Sequence, residues 1–126
     1  MLGTQFEATD ARRMFPCWDE PAFRSRFQLT AVVPANFTAV SNMPVEKETK
    51  VAEGKEFRFA VSPPMPSYLN VLCAGELDGI FAKVKGVDHG VIATKGKSEM
   101  GRYALESSQQ ILEYMNDYFG QPYPLP

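Results

Sequence analysis

The stretch Arg24–Val33, "RSRFQLTAVV", decides the fold class. Phe27, Leu29, Ala31 and Val33 fall on one side of an extended chain, and Arg26, Gln28, Thr30 and Val32 on the other. That is the period-two pattern of a strand with one buried face, because successive side chains of a strand leave opposite sides. Pro34 closes it, since proline has no amide hydrogen to give to a ladder. The same pattern repeats outward. "FTAVSN" gives a short second strand ended by Asn42 and Pro44, and "KETKVAEGKEFRFAVS" reads as a hairpin turning at Glu53–Gly54, with Phe57, Phe59 and Val61 inward. "PPMP", Pro63 to Pro66, has to be a connector or a sheet edge. "YLNVLCAGEL" starts a largely apolar strand, and "GIFAKVKGVDHGVIAT" a hairpin with its turn at Lys85–Gly86.

After Gly96 the period changes. Ala104, Leu105, Ser108, Ile111, Leu112, Met115, Tyr118 and Phe119 recur at helical spacing and predict one amphipathic helix. Ser98 is placed to cap its start, Gly120 to end it in a left-handed residue, and Pro122 and Pro124 prevent a restart. The expected class is therefore mainly β, an antiparallel sheet or sandwich followed by one amphipathic α-helix.

Composition narrows the partners. The 126 residues suit one ordinary domain, and a chain that is 44% hydrophobic and 22% charged with a net charge of -2 has no electrostatic grip on nucleic acid. Its Lys and Arg residues are scattered, and the run Val45–Lys50, "VEKETK", alternates sign as a solvated strand does. No window reaches the roughly 20 apolar residues of a membrane-spanning helix, and the first residues lack a basic-then-apolar signal pattern. Cys17 and Cys73 do not define a disulfide framework by their spacing, and the redox compartment stays undecided.

Chemistry-bearing residues are few. The one histidine, His89, reads as a surface or turn residue. Cys17, Cys73 and His89 lack the close pairing of zinc ligands, and no glycine pattern cradles a phosphate. Asp19 and Glu20 are adjacent, so in an extended segment they point apart. Their expected role is to accept backbone hydrogen bonds in the turn set by Pro21, with Arg12 and Arg13 as ion-pair partners. Gln5 and Glu7 stand at i and i+2, which puts an amide and a carboxylate on one side of an extended segment. On spacing alone this is either a ligand-facing pair or a solvated polar edge.

Four stretches in order, "TQFE", "ARRMFPCWDEP", "MPSYL" and "YFGQPYPLP", resemble successive landmarks of the aminopeptidase N family of zinc metallopeptidases. The resemblance runs from Gly3 to Pro126. It implies that residues 1–95 correspond to the C-terminal part of the family's N-terminal β-domain, a large saddle-like antiparallel sheet. Residues 96–126 would then be the first helix and proline-rich turn entering a catalytic domain. It further implies that Glu7 holds the free α-ammonium of a peptide substrate and that Gln5 lines the pocket for its first side chain. Phe15, Cys17 and Trp18 would be the apolar underpinning of that segment, with Cys17 buried.

The family's G-x-M-E-N and H-E-x-x-H motifs do not occur in this sequence. The expectation is a fragment of a zinc enzyme, inactive by itself and without zinc of its own. Its expected partners are the missing catalytic domain and a peptide amino terminus, with self-association through an exposed edge or helix. The alternative is a freestanding β-sandwich module that binds a peptide or a sugar at the rim near Trp18 and Gln5.

Overall fold

The alternation across Arg24–Val33 is carried into burial. Ala31 and Val33 are buried, Phe27 and Leu29 half-buried, and Arg26, Gln28, Thr30 and Val32 exposed in the computed structural model, which describes residues 1–125. Pro126, the last residue of "YFGQPYPLP", lies outside the described residues. The stretch carries two short strands, β2 (Arg24–Ser25) and β3 (Thr30–Val33), joined by an extended passage. There the Phe27 N–H donates to Ser62 Oγ at 2.9 Å, Ser62 N–H donates to Phe27 O at 2.8 Å, and Phe59 N–H donates to Leu29 O at 3.0 Å.

The chain forms two compact units, residues 1–76 and the part from Leu77 onward. The first holds β1 (Leu2–Gly3), β2, β3, β4 (Thr38–Ser41), β5 (Val45–Val51), β6 (Gly54–Phe59), β7 (Met65–Pro66) and β8 (Leu72–Gly75). All pairings are antiparallel. Within this unit the strands make two three-stranded sheets, in the orders β1-β8-β4 and β3-β6-β5, and a two-stranded ladder of β2 with β7. Ala31, Val33, Phe57 and Phe59 of one sheet and Ala39 and Ala74 of the other form a single core cluster, against which Leu29, Phe37 and Leu72 pack.

Details depart from the sequence pattern for identifiable reasons. Val51 pairs with Gly54, so the hairpin turns at Ala52–Glu53, one residue earlier than expected. Gly54 has φ +142°, and a Cβ there would lie 2.1 Å from Val33 O, so only glycine can start β6 beside the end of β3. Val61 is 47% exposed where the pattern put it inward. The ladder stops at Phe59, and Ser62 becomes the inward residue because its hydroxyl accepts from Phe27 and donates to Pro63 O at 2.9 Å. Tyr68 and Leu69 lie in a 3-10 turn, Ser67–Leu69, and not in a strand. Asn70 closes that turn, its side chain and its N–H both donating to Ser67 O. The run Val45–Lys50 is largely exposed, with cross-strand pairs Arg58–Glu46 at 3.2 Å and Lys55–Glu48 at 3.7 Å.

The second unit joins β9 (Leu77–Val84) and β10 (Val87–Thr94) in a hairpin whose turn, Lys85–Gly86, has φ 49° and 89°. Positive φ at both turn residues matches the right-handed twist of the flanking strands. The helix α1 (Arg102–Phe119) follows. Ser98 does not cap it: Ser98–Gly101 form a 3-10 turn, and α1 starts after Gly101 without a side-chain cap. Gly120, in the left-handed region at φ 63°, ends the helix as expected. Leu105 is the buried hydrophobic residue of α1, while Ile111, Met115, Tyr118 and Phe119 of its apolar face are exposed. Among the described residues no helix is long and apolar enough to cross a membrane.

Phe59, 1% exposed in the middle of the core cluster, sets an expectation. Phe59→Ala is expected to lower stability by about 3–5 kcal/mol and Val61→Ala by less than about 0.5 kcal/mol, read as urea-denaturation midpoints. Equal losses for the two would overturn the inward assignment of Phe59.

Candidate functional site

The segment that carries Gln5 and Glu7 is anchored before it becomes irregular. β1 pairs with β8 through Leu2–Ala74 and Gly3–Cys73. Thr4 then extends that pairing without strand geometry of its own, its N–H donating to Leu72 O at 3.0 Å and its Oγ1 accepting from Leu72 N–H at 2.9 Å. Beyond Thr4 the side chains alternate: Gln5 exposed, Phe6 buried at 8%, Glu7 exposed. The structure therefore brings Gln5 and Glu7 to the surface on either side of one buried aromatic. No ion pair to Glu7 forms among the described residues.

Phe6 is held by its neighbours. Its ring meets Phe15 edge-on at 6.3 Å, and Phe15 meets Phe27 edge-on at 5.9 Å, both arrangements favoured by the ring quadrupoles. A cleft of about 230 Å³ opens over these rings, lined also by Thr4, Met14, Leu29 and Leu72 but not by Gln5 or Glu7. A second cleft of about 190 Å³ is lined by Cys17, Trp18, Phe23 and Ser67 among others. Trp18 is 79% exposed and Cys17 half-buried, so of the three residues expected to underpin the segment, Phe15 alone packs with Phe6. Adjacent positions cannot all turn inward from an extended "PCWDE", and Asp19 takes the buried place.

From Glu7 the chain turns at once. Asp10 N–H donates to Phe6 O at 2.9 Å, and a 3-10 turn, Ala11–Arg13, follows with Ala11 fully buried. Asp19 closes this loop. Its Oδ2 accepts from the Arg12 N–H and from Arg12 Nε, each at 3.2 Å, and its Oδ1 accepts from Ser67 Oγ at 2.7 Å. Arg12 Nη2 in turn donates to Asp19 O at 3.1 Å. The Arg12 partner matches the sequence reading, but the main-chain donor to Asp19 is Arg12 itself and not the turn at Pro21, and Glu20 is exposed. Arg13 departs from that reading, pairing with Asp10 at 3.5 Å on the surface. Ser67, 48 residues from Asp19, carries no signal in the sequence that it would be the third member.

The hydrogen bond from Ser67 holds the Asp19 carboxyl below its ordinary value, against burial, with the Arg12 N–H, side chain and charge acting in the same direction. Asp78 in the second unit is lowered similarly, first by the Gly96 N–H and further by Ser98. His89 is a strand residue of β10, not a turn residue; it is half-buried, with Nδ1 3.0 Å from Ser108 Oγ. Cys17 and Cys73 are both free thiols. Among the described residues no three His, Cys, Asp or Glu side chains come together to hold a metal ion, so the donor set does not fit zinc.

Residues 1–69 match the peptidase M1 N-terminal domain. The chain belongs to the peptidase M1 family. Over its whole length it is 49% identical to aminopeptidase N of Acetobacter pasteurianus, of which it covers 36%. It is likewise 46% identical to aminopeptidase M1-B of Oryza sativa subsp. japonica and 44% identical to the puromycin-sensitive aminopeptidase of Caenorhabditis elegans, covering 14% of each. The chain thus spans well under half the length of these relatives. The M1 match takes in Gln5, Glu7, Arg12, Asp19 and Ser67 together.

A carboxyl held low when folded stabilises the fold above its unfolded value, about 3.9, and loses that contribution as pH falls through the lower folded value. The urea midpoint is therefore expected to drop as pH is lowered from about 5 toward 2, and Asp19→Asn to flatten that drop. An unchanged slope in Asp19→Asn would mean that the carboxylate is not held as described.

Proposed function

We propose that this chain is the substrate-amino-terminus-reading part of a zinc aminopeptidase, with Glu7 binding the α-ammonium of a peptide and Gln5 bordering the pocket for its first side chain. The observation that carries the reading is the exposed Gln5–Glu7 pair around buried Phe6, in a segment fixed at Thr4 and again at Arg12. An exopeptidase has to tell a chain end from an internal amide. A carboxylate without an intramolecular ion pair does this by a charge-assisted hydrogen bond to an ammonium, which an internal amide cannot form. The aminopeptidase names of the relatives, matched along the whole chain, support the substrate class.

The zinc that the family resemblance implies has no fitting donor set among the described residues, so no chemical step is assigned to this chain and its proposed role is recognition. In the same reading, residues 1–95 belong to the N-terminal β-domain and 96–126 lead toward a catalytic domain, whose sequence lies in the further length of the relatives. That domain is the proposed partner of this chain; in its absence the exposed apolar face of α1 is a surface for self-association. A freestanding peptide- or sugar-binding module would use the cleft beside Trp18 instead, and its affinity would not depend on a free amino group.

In the complete enzyme carrying this segment, Glu7→Gln is expected to lower kcat/KM for aminoacyl-nitroanilides about 10- to 100-fold, the range given by one charge-assisted hydrogen bond of about 1.5–3 kcal/mol. The 126-residue chain alone is expected to show no turnover and no stoichiometric zinc. Wild-type rates in Glu7→Gln, or turnover by the pure chain, would defeat the reading.

A further inference from the structure

Asp19 is the one buried acidic residue of the first unit, and the recognition role just proposed does not use it. Its two oxygens take three hydrogen bonds, and one comes from the main-chain N–H of Arg12. The loop is therefore held by its backbone, and a flexible surface side chain is not its only tether. On the other side of Glu7, the Thr4 main chain and hydroxyl clasp Leu72. Residues 5–11 are thus a short span between two fixed points, with Ala11 and Phe6 buried within it. Ser67 belongs to a 3-10 turn that leads through Asn70 to Leu72, so both fixed points are mounted on the same stretch, Ser67–Leu72.

We propose that Asp19 is a positioning residue: by clasping the Arg12 backbone to Ser67 it fixes the loop that presents Glu7, and so sets how well Glu7 meets a peptide amino terminus. This rests on the reading of Glu7 given above. Without the Asp19 carboxylate the span keeps Thr4 and the Phe6 packing but loses the clasp on the Arg12 N–H, and the Glu7 carboxylate must be ordered further at each binding event, a cost that weakens binding without touching chemistry. Asp19 is not a catalytic residue, because it is 4% exposed and its oxygens are occupied.

The test uses Asp19→Ala, the milder Ser67→Ala, and Arg12→Ala, which keeps the main-chain N–H. Amide hydrogen exchange of the complete enzyme carrying this segment is expected to show faster exchange at residues 5–11 in Ser67→Ala and Asp19→Ala, with the β3 and β6 amides unchanged and Arg12→Ala affected least. In the complete enzyme, Ser67→Ala is expected to raise KM for aminoacyl-nitroanilides about fivefold to tenfold with kcat within about twofold. Loop amides exchanging as slowly as wild type in Ser67→Ala, or accelerated no more than the sheet, would overturn the positioning role even if Asp19→Ala fails to fold. A loosened loop together with a Glu7→Gln enzyme of unaltered KM would instead locate the failure in the reading of Glu7, and the proposal would fall with it.

Discussion

The buried carboxylate of Asp19 is the constraint on which the surface of the first unit depends. A charged group at 4% exposure is tolerable only when its hydrogen-bonding capacity is met, and here Arg12 and Ser67 meet it. The pairing stitches the loop after Glu7 and the adjoining "FPCWDEP" bend, seven residues apart at Arg12 and Asp19, to the turn at Ser67, 48 residues from Asp19. Had Asp19 been apolar, the same bend could have packed, but the Arg12 backbone would have lost its hydrogen-bonded link to the turn at Ser67. Specificity of loop geometry is the return on burying a charge.

Beneath that lock lies an apolar layer that explains why the loop can be irregular and still well placed. Phe15 meets Phe6 on one side and Phe27 on the other, each edge to face, and Phe27 belongs to the same extended stretch whose next inward residues, Leu29, Ala31 and Val33, enter or pack on the core with Phe57 and Phe59. The Gln5–Glu7 segment is thereby continuous with the sheet interior through one row of side chains. Polar atoms above, aromatic rings below and alternation between them leave Gln5 and Glu7 facing water because Phe6 cannot.

Much of this was legible in the sequence, and the reasons for success and failure are physical. Turn residues located the hairpin at Lys85–Gly86, and period-two alternation marked burial along Arg24–Val33 correctly, since alternation reports burial directly. It failed where a polar side chain competes with the ladder: Ser62 displaced Val61 from the interior, and Asn70 turned Tyr68 and Leu69 out of a strand. The hairpin turn at Ala52–Glu53 was misplaced by one residue because Gly54 is required by a close backbone approach to Val33, not by the turn itself. In the site, Arg12 and Asp19 were foreseeable as neighbours of opposite charge. Ser67 was not, because a hydroxyl 48 residues away has no local pattern to announce it.

The most direct measurement is a crystal structure of the complete enzyme with a non-hydrolysable peptide analogue bearing a free amino terminus. The expected density places that nitrogen about 2.7–2.9 Å from a Glu7 carboxylate oxygen, the distance of a charge-assisted hydrogen bond, with the Asp19, Arg12 and Ser67 contacts intact. An amino group bound elsewhere while Glu7 still faces solvent would leave this segment a scaffold and not a reader of chain ends.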